Sequence, residues 1–205
     1  MRWDALLFDF DGVLADSERV HQFSWNTVLK PYGIQFSWDD YVKQCVGVAD
    51  AVVAQRLKLP DPAEAVARKQ DLFRKTLEEH PPFLEETLQL IRELQQNHRL
   101  AVVSSSFRRE VEPPLIRAGI RDCFELVVCG NDVERLKPAP DPYLLAAKKL
   151  GVSRPLVIED SDSGVASGRA AGFEVLRVTS VGNVAREVRE RLLRRPADNL
   201  VDNLD

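Results

Sequence analysis

The chain has 205 residues, 44% of them hydrophobic, and a formal net charge of -4 at neutral pH. That length suits one ordinary domain, or a core domain carrying a smaller insertion, and the acidic balance leaves no electrostatic footprint for nucleic acid. No apolar stretch reaches membrane-spanning length, the opening residues run straight into an apolar segment without a leader pattern, and Cys45, Cys123 and Cys129 lack metal-ligand spacing. The expected setting is therefore the cytoplasm, with reduced thiols and no membrane partner.

The first apolar run, Ala5-Leu6-Leu7-Phe8, reads as a buried strand and leads into Asp9-Phe10-Asp11-Gly12-Val13-Leu14. Carboxylates at i and i+2 lie on one side of an extended chain and repel unless a cation or a shared proton intervenes; Mg²⁺ suits oxygen ligands of this kind. A competing reading is a β-hairpin, because Asp-Gly between hydrophobics is a strong turn signal.

Residues 17–30 have helical periodicity, ended by Tyr32-Gly33. From 38 to 79 no strand is predicted: helix-like stretches at 41–46, 49–59 and 63–78 are broken at Gly47 and Pro60-Asp61-Pro62, and His80-Pro81-Pro82-Phe83 reads as a linker. The rhythm then changes. Helices over 84–96, 108–118, 142–150 and 163–171 alternate with short apolar strands at 100–103, 126–129, 156–158 and 174–178. Such alternation predicts an α/β fold, a parallel sheet covered by helices on both faces. The arginine-rich stretch 184–195 places Val184, Val188 and Leu192 four apart and reads as an amphipathic surface helix diluted by Glu187 and Glu190.

Ligands of open parallel sheets bind beyond the carboxyl ends of the strands. The residues that follow the predicted strands are Asp9 and Asp11, then Ser104, Ser105 and Ser106, then a loop leading to Lys137, then Glu159, Asp160 and Asp162. Each has a plain alternative: Asp160 or Asp162 caps a helix, Ser106 caps another, and Lys137 sits in a solvated turn. Together those alternatives require four coincidences at one edge of the sheet.

Asp9-Phe10-Asp11-Gly12-Val13-Leu14, the strand ending in Ser104, Lys137-Pro138-Ala139-Pro140-Asp141 and Ile158-Glu159-Asp160-Ser161 resemble, in order, the four motifs of the haloacid dehalogenase-like superfamily. With Asp16-Ser17-Glu18 and His21 after the first motif, the chain looks most like the subgroup of β-phosphoglucomutase and small sugar-phosphate phosphatases. The resemblance implies a Rossmann-like core of residues 1–16 and 82–205 with a small helical cap inserted at 17–81. It implies Asp9 as nucleophile toward phosphorus and Asp11 as general acid and base. It implies Mg²⁺ on the Asp9 carboxylate, the Asp11 carbonyl and Asp160, with Glu159 as a ligand or just behind one. Ser104 and the Ser105 amide would hold phosphoryl oxygens, with Ser106 beside them, and Lys137 would neutralise charge. An acid at position 11 favours phosphoryl transfer over halide displacement.

In the cap, His21 and Trp25 share a helix face, and either touch substrate or simply pack. Asp50 stands where the resemblance places a phosphoglucomutase arginine for a distal phosphate, which weakens the mutase reading. Arg68-Lys69 reads as a solvated helix face, with substrate contact by Lys69 as the alternative. The leading reading is a phosphatase for a small phosphate ester, expected to be a monomer. The alternatives are a phosphosugar mutase, a non-catalytic phosphate-ester-binding module and, less favoured, a thiol enzyme built on Cys129 or Cys123.

Overall fold

The computed structural model describes residues 3–46, 48 and 50–194; the cap readings at Gly47 and Ala49 and the end of the tail from Arg195 lie outside the described residues. Five short strands, β1 (Leu6–Phe8), β2 (Leu100–Val103), β3 (Leu126–Val128), β4 (Leu156–Glu159) and β5 (Glu174–Arg177), pair in parallel in the order β3-β2-β1-β4-β5. The helices are α1 (Ser17–Leu29), α2 (Trp38–Gln44), α3 (Asp50–Arg56), α4 (Pro62–Glu79), α5 (Glu85–Leu94), α6 (Arg108–Arg117), α7 (Asp141–Leu150), α8 (Asp162–Ala170) and α9 (Val184–Leu193).

The strands read as unbroken apolar runs because both of their faces are buried. Leu6, Phe8, Leu100, Val102, Leu156 and Ile158 pack with Leu90 and Ile91 of α5, Leu115 of α6 and Val188 of α9. The alternate residues Leu7, Ala101, Val103 and Val157 pack on the other face with Tyr143, Ala146 and Leu150 of α7. On that face, too, α8 lies close enough that a Cβ on Gly168 would meet Val175 at 2.8 Å. In the tail, Val184 and Val188 are buried, and Arg186, Arg189 and Arg191 all meet carboxylates, as a surface helix requires.

The sheet order reverses direction at β1, which opens a crevice at the carboxyl ends of β1, β2 and β4. The Asp-Gly signal marks the exit from the sheet. Gly12 has φ +77° and its amide donates to the Ala15 carbonyl at 2.9 Å, while both neighbours of β1 are parallel, so there is no hairpin here.

Between β1 and α5, helices α1 to α4 build a separate apolar cluster around Trp25, Leu29, Tyr41 and Val53. The chain enters and leaves this block side by side, with the Asp16 amide donating to the Pro82 carbonyl at 2.8 Å. Helix α2 starts earlier than its apolar pattern because Ser37 caps it, its hydroxyl accepting from the Asp40 amide. Long helix α4 packs against α6 of the core, beside the loop that follows β2.

Candidate active site

Each of the four strand-end groups is delivered to the crevice. The Lys137 ammonium donates to Asp9 Oδ1 at 2.7 Å, to the Val103 carbonyl at 2.8 Å and to Glu159 Oε1 at 2.6 Å. All three of its protons are thereby committed, and Asp9 Oδ2 accepts no hydrogen bond from another described residue. Burial pushes the Asp9 carboxyl well above the ordinary carboxylate range; Lys137 opposes that shift, and Glu159 and Asp11 add to it. Burial also disfavours the Lys137 ammonium, but the Asp9 and Glu159 carboxylates outweigh it and hold its pKa above normal.

Glu159 is fully buried and saturated. Its Oε1 accepts from Lys137 and from the Tyr143 hydroxyl at 2.7 Å, and its Oε2 from the amide of Asp160 and the amide and hydroxyl of Ser161. Gly164, in the first turn of α8, is required by this packing, since a Cβ there would lie 1.8 Å from Glu159 Oε1. Tyr143 is a partner that sequence reading missed; it looks like one more apolar residue on α7, and nothing local marks its hydroxyl.

Asp11 lies one step further out, where the Ser17 hydroxyl donates to Oδ1 at 2.7 Å and the Ser106 hydroxyl to Oδ2 at 2.7 Å. Ser104 is buried against the same oxygen at 3.5 Å and accepts the Ser106 amide at 3.0 Å. Ser105 is exposed at the loop tip, its carbonyl so close to Gly130 that a Cβ there would sit 2.3 Å away. A serine hydroxyl both donates and accepts, so Ser17 and Ser106 can hold Asp11 in either protonation state.

Asp9, Glu159 and Asp160 each offer a carboxylate oxygen within 4.8 Å of the others. The crevice gathers four carboxylates, with Asp11, against the one ammonium of Lys137. Burial and then Glu159 push the Asp160 carboxyl up to about 6. The carboxylate of Asp160 occupies space that any side chain at position 12 would take, 2.0 Å from the ideal Cβ of Gly12. Hard oxygen donors with an excess of negative charge fit a small divalent cation. Since Glu159 is already saturated with hydrogen bonds, Asp9 and Asp160 are the carboxylates with oxygens to spare for such an ion.

In the cap, the solvated reading of Lys69 needs correction. Lys69 is not on a solvated face: it is 2% exposed, because Ala65, Lys69, Phe73 and Leu77 form the buried stripe of α4 at helical spacing. That stripe was a readable signal. Of the two readings of Trp25, packing is the one its position matches: it is 1% exposed within the cap core. Lys69 donates to Asp50 Oδ1 and Oδ2, both at 2.9 Å, and to His21 Nδ1 at 2.7 Å. His21 stacks on Phe73 at 3.8 Å between ring centroids.

Burial, with Lys69 beside it, lowers the His21 pKa to about 3. The unfolded chain takes up a proton at this residue below about pH 6.5, whereas the folded chain does not until about 3, so acid costs stability across that window. Denaturant titrations should show the wild-type advantage over His21→Gln shrinking as pH falls from 7 to 4; a pH-independent gap would contradict the buried neutral imidazole.

Cys129 is fully buried and its thiol is pushed up to about 12, mainly by burial.

Comparison with known proteins agrees with this geometry. A family model described as haloacid dehalogenase-like hydrolase matches residues 6–178. The fructose-1-phosphate phosphatase YqaB of Escherichia coli is 30% identical over 183 residues, covering 86% of this chain and 97% of that protein. A phosphorylated carbohydrates phosphatase of Thermotoga maritima is 30% identical, covering 83% of this chain and 82% of its own length. The crystal structure of CbbY from Rhodobacter sphaeroides in complex with phosphate superposes with a TM-score of 0.67 at 28% identity, covering 84% of each chain.

Proposed function

The chain belongs to the haloacid dehalogenase-like hydrolase family, and we propose that it is a Mg²⁺-dependent phosphatase for a small phosphorylated metabolite, working through a phospho-aspartyl intermediate on Asp9. The observation that carries this reading is the state of Asp9, with one oxygen fixed by Lys137, no hydrogen bond to the other from another described residue, and the clamped Asp11 close by. The phosphatases among its relatives support the same reaction class.

Asp9 and Asp160, with the Asp11 carbonyl, would hold Mg²⁺, which when bound supplies positive charge to the phosphoryl oxygens. Asp9 Oδ2 attacks phosphorus, and the bond from phosphorus to the leaving oxygen breaks. Asp11 gives that oxygen its proton, then removes one from the water that hydrolyses the acyl phosphate. Lys137 holds Asp9 in line and offsets the charge shared between the carboxylate and the transferring group. Ser104 and the Ser105 amide receive phosphoryl oxygens. Residues 17–81 act as a cap that limits water and selects the leaving group.

Phosphate release from a panel of phosphate monoesters, with Mg²⁺ and with a chelator, tests the proposal. Release that disappears on chelation and returns with Mg²⁺ is the expected result. An enzyme silent on every monoester, or indifferent to the chelator, would require a different function.

A further inference from the structure

We infer that the cap selects esters whose leaving group is an uncharged, hydroxyl-bearing carbon skeleton and rejects those carrying a second anionic group, through the Asp50–Lys69–His21 cluster. The inference deepens the phosphatase reading above and rests on it.

The cluster sits over the reacting groups. Ser17, which opens α1, donates to Asp11, and His21 lies on the same helix face about 6 Å further along the axis. Glu18, between them in sequence, feels both Asp11 and Lys69; burial raises its pKa most, Asp11 adds to the rise and Lys69 opposes it. The next layer above Asp11 is therefore Glu18, His21, Asp50 and Lys69.

The balance of that layer decides what it can recognise. An ammonium has three protons, and all three of Lys69's are taken, two by Asp50 and one by His21. Lys69 thus offers a second anion neither a free proton nor an uncompensated charge. Because His21 Nδ1 accepts from Lys69, its ring proton is assigned to Nε2, leaving a neutral donor. The Asp50 side chain remains 23% exposed and keeps acceptor capacity on its oxygens. Glu18 is held by the Tyr41 hydroxyl. Two carboxylates against one ammonium repel an incoming carboxylate or phosphate, while an acceptor and a neutral donor side by side match sugar or polyol hydroxyls. Arg56 closes α3 about 9 Å along the helix from Asp50. A bisphosphate held with either end outward, as a mutase requires, finds no free ammonium at Lys69.

The test compares kcat/KM for sorbitol 6-phosphate and fructose 1-phosphate with that for 2-phosphoglycolate and fructose 1,6-bisphosphate, with p-nitrophenyl phosphate alongside. Wild-type enzyme is expected to favour the first pair by at least about tenfold. Asp50→Asn, which leaves the Lys69 charge uncompensated, should lower KM for the second pair and narrow or invert the ratio. The double variant Asp50→Asn/Lys69→Met removes both charges and should restore the discrimination. Wild-type preference for the doubly anionic esters, or a ratio unmoved in Asp50→Asn, would overturn the inference. Should Asp50→Asn fail to fold, the wild-type ratio and the double variant decide it. Hydrolysis of p-nitrophenyl phosphate by the wild type keeps the two questions apart, since it reports phosphatase chemistry whichever skeleton the cap prefers.

Discussion

Asp9→Asn is expected to lower phosphate release by about 10⁴-fold or more while the protein remains folded. The amide keeps the size of the carboxylate but is a poor nucleophile, so no acyl phosphate forms. Folding tolerates the change because the asparagine Oδ1 can still accept from Lys137, whose other two acceptors, the Val103 carbonyl and Glu159, are unchanged. The hydrogen bond from Lys137 loses the carboxylate's charge and is weakened, by less than the roughly 1.5–3 kcal/mol of a whole bond to a charged group. Against it, a buried carboxylate that burial, Glu159 and Asp11 all disfavour is removed. The two effects have opposite sign, so the unfolding midpoint should move less than the weakened hydrogen bond alone would move it. Measuring phosphate release and chemical denaturation on the same preparation separates the outcomes. Retained turnover would remove Asp9 as nucleophile, whereas lost turnover with a collapsed midpoint would make the residue structural.

Much of this site was legible in the sequence because strand ends are fixed by short apolar runs. Leu100–Val103 announces β2 by composition, and the residue after such a run must lie at the crevice. Asp9, Ser104 and Glu159 each stand at the end of such a run. What was not legible is who touches whom. Ser106 reaches Asp11 across 95 residues and Tyr143 reaches Glu159 across 16, and no local pattern encodes such pairs. Lys69 is a different kind of miss. Its position on the Ala65–Phe73–Leu77 stripe favours burial while its charge favours solvent, and a half-buried carboxylate from another helix, Asp50, resolves the conflict toward burial. A charged residue on an apolar stripe is therefore better read as paired than as exposed.

Lys137→Met should fail in both activity and stability, and the two losses have separate causes. Catalytically, it deletes the cation nearest the nucleophile, a loss of about 10²–10³-fold for a preorganised charge-stabilising group. Structurally, it strands two buried carboxylates: Asp9 and Glu159 share this ammonium, whose side chain is only 5% exposed. Removing one partner of such a buried pair typically costs about 3–5 kcal/mol, far above the value of a surface ion pair, and added salt should do little to soften it. The pH dependence identifies the mechanism. Asp9 is already shifted upward by burial, and losing Lys137 shifts it further. Between the ordinary carboxylate pKa and that raised value, the folded variant binds more protons than the unfolded chain, so its stability falls as pH rises through the window. Denaturation curves should show the gap between wild type and Lys137→Met widening as pH rises above the ordinary carboxylate range. Adding Glu159→Gln removes one stranded charge and should recover part of the stability without restoring activity, a coupling of about 1–3 kcal/mol in a double-mutant cycle. A Lys137→Met protein as stable as wild type at pH 8 would show that these charges are not the buried network described above.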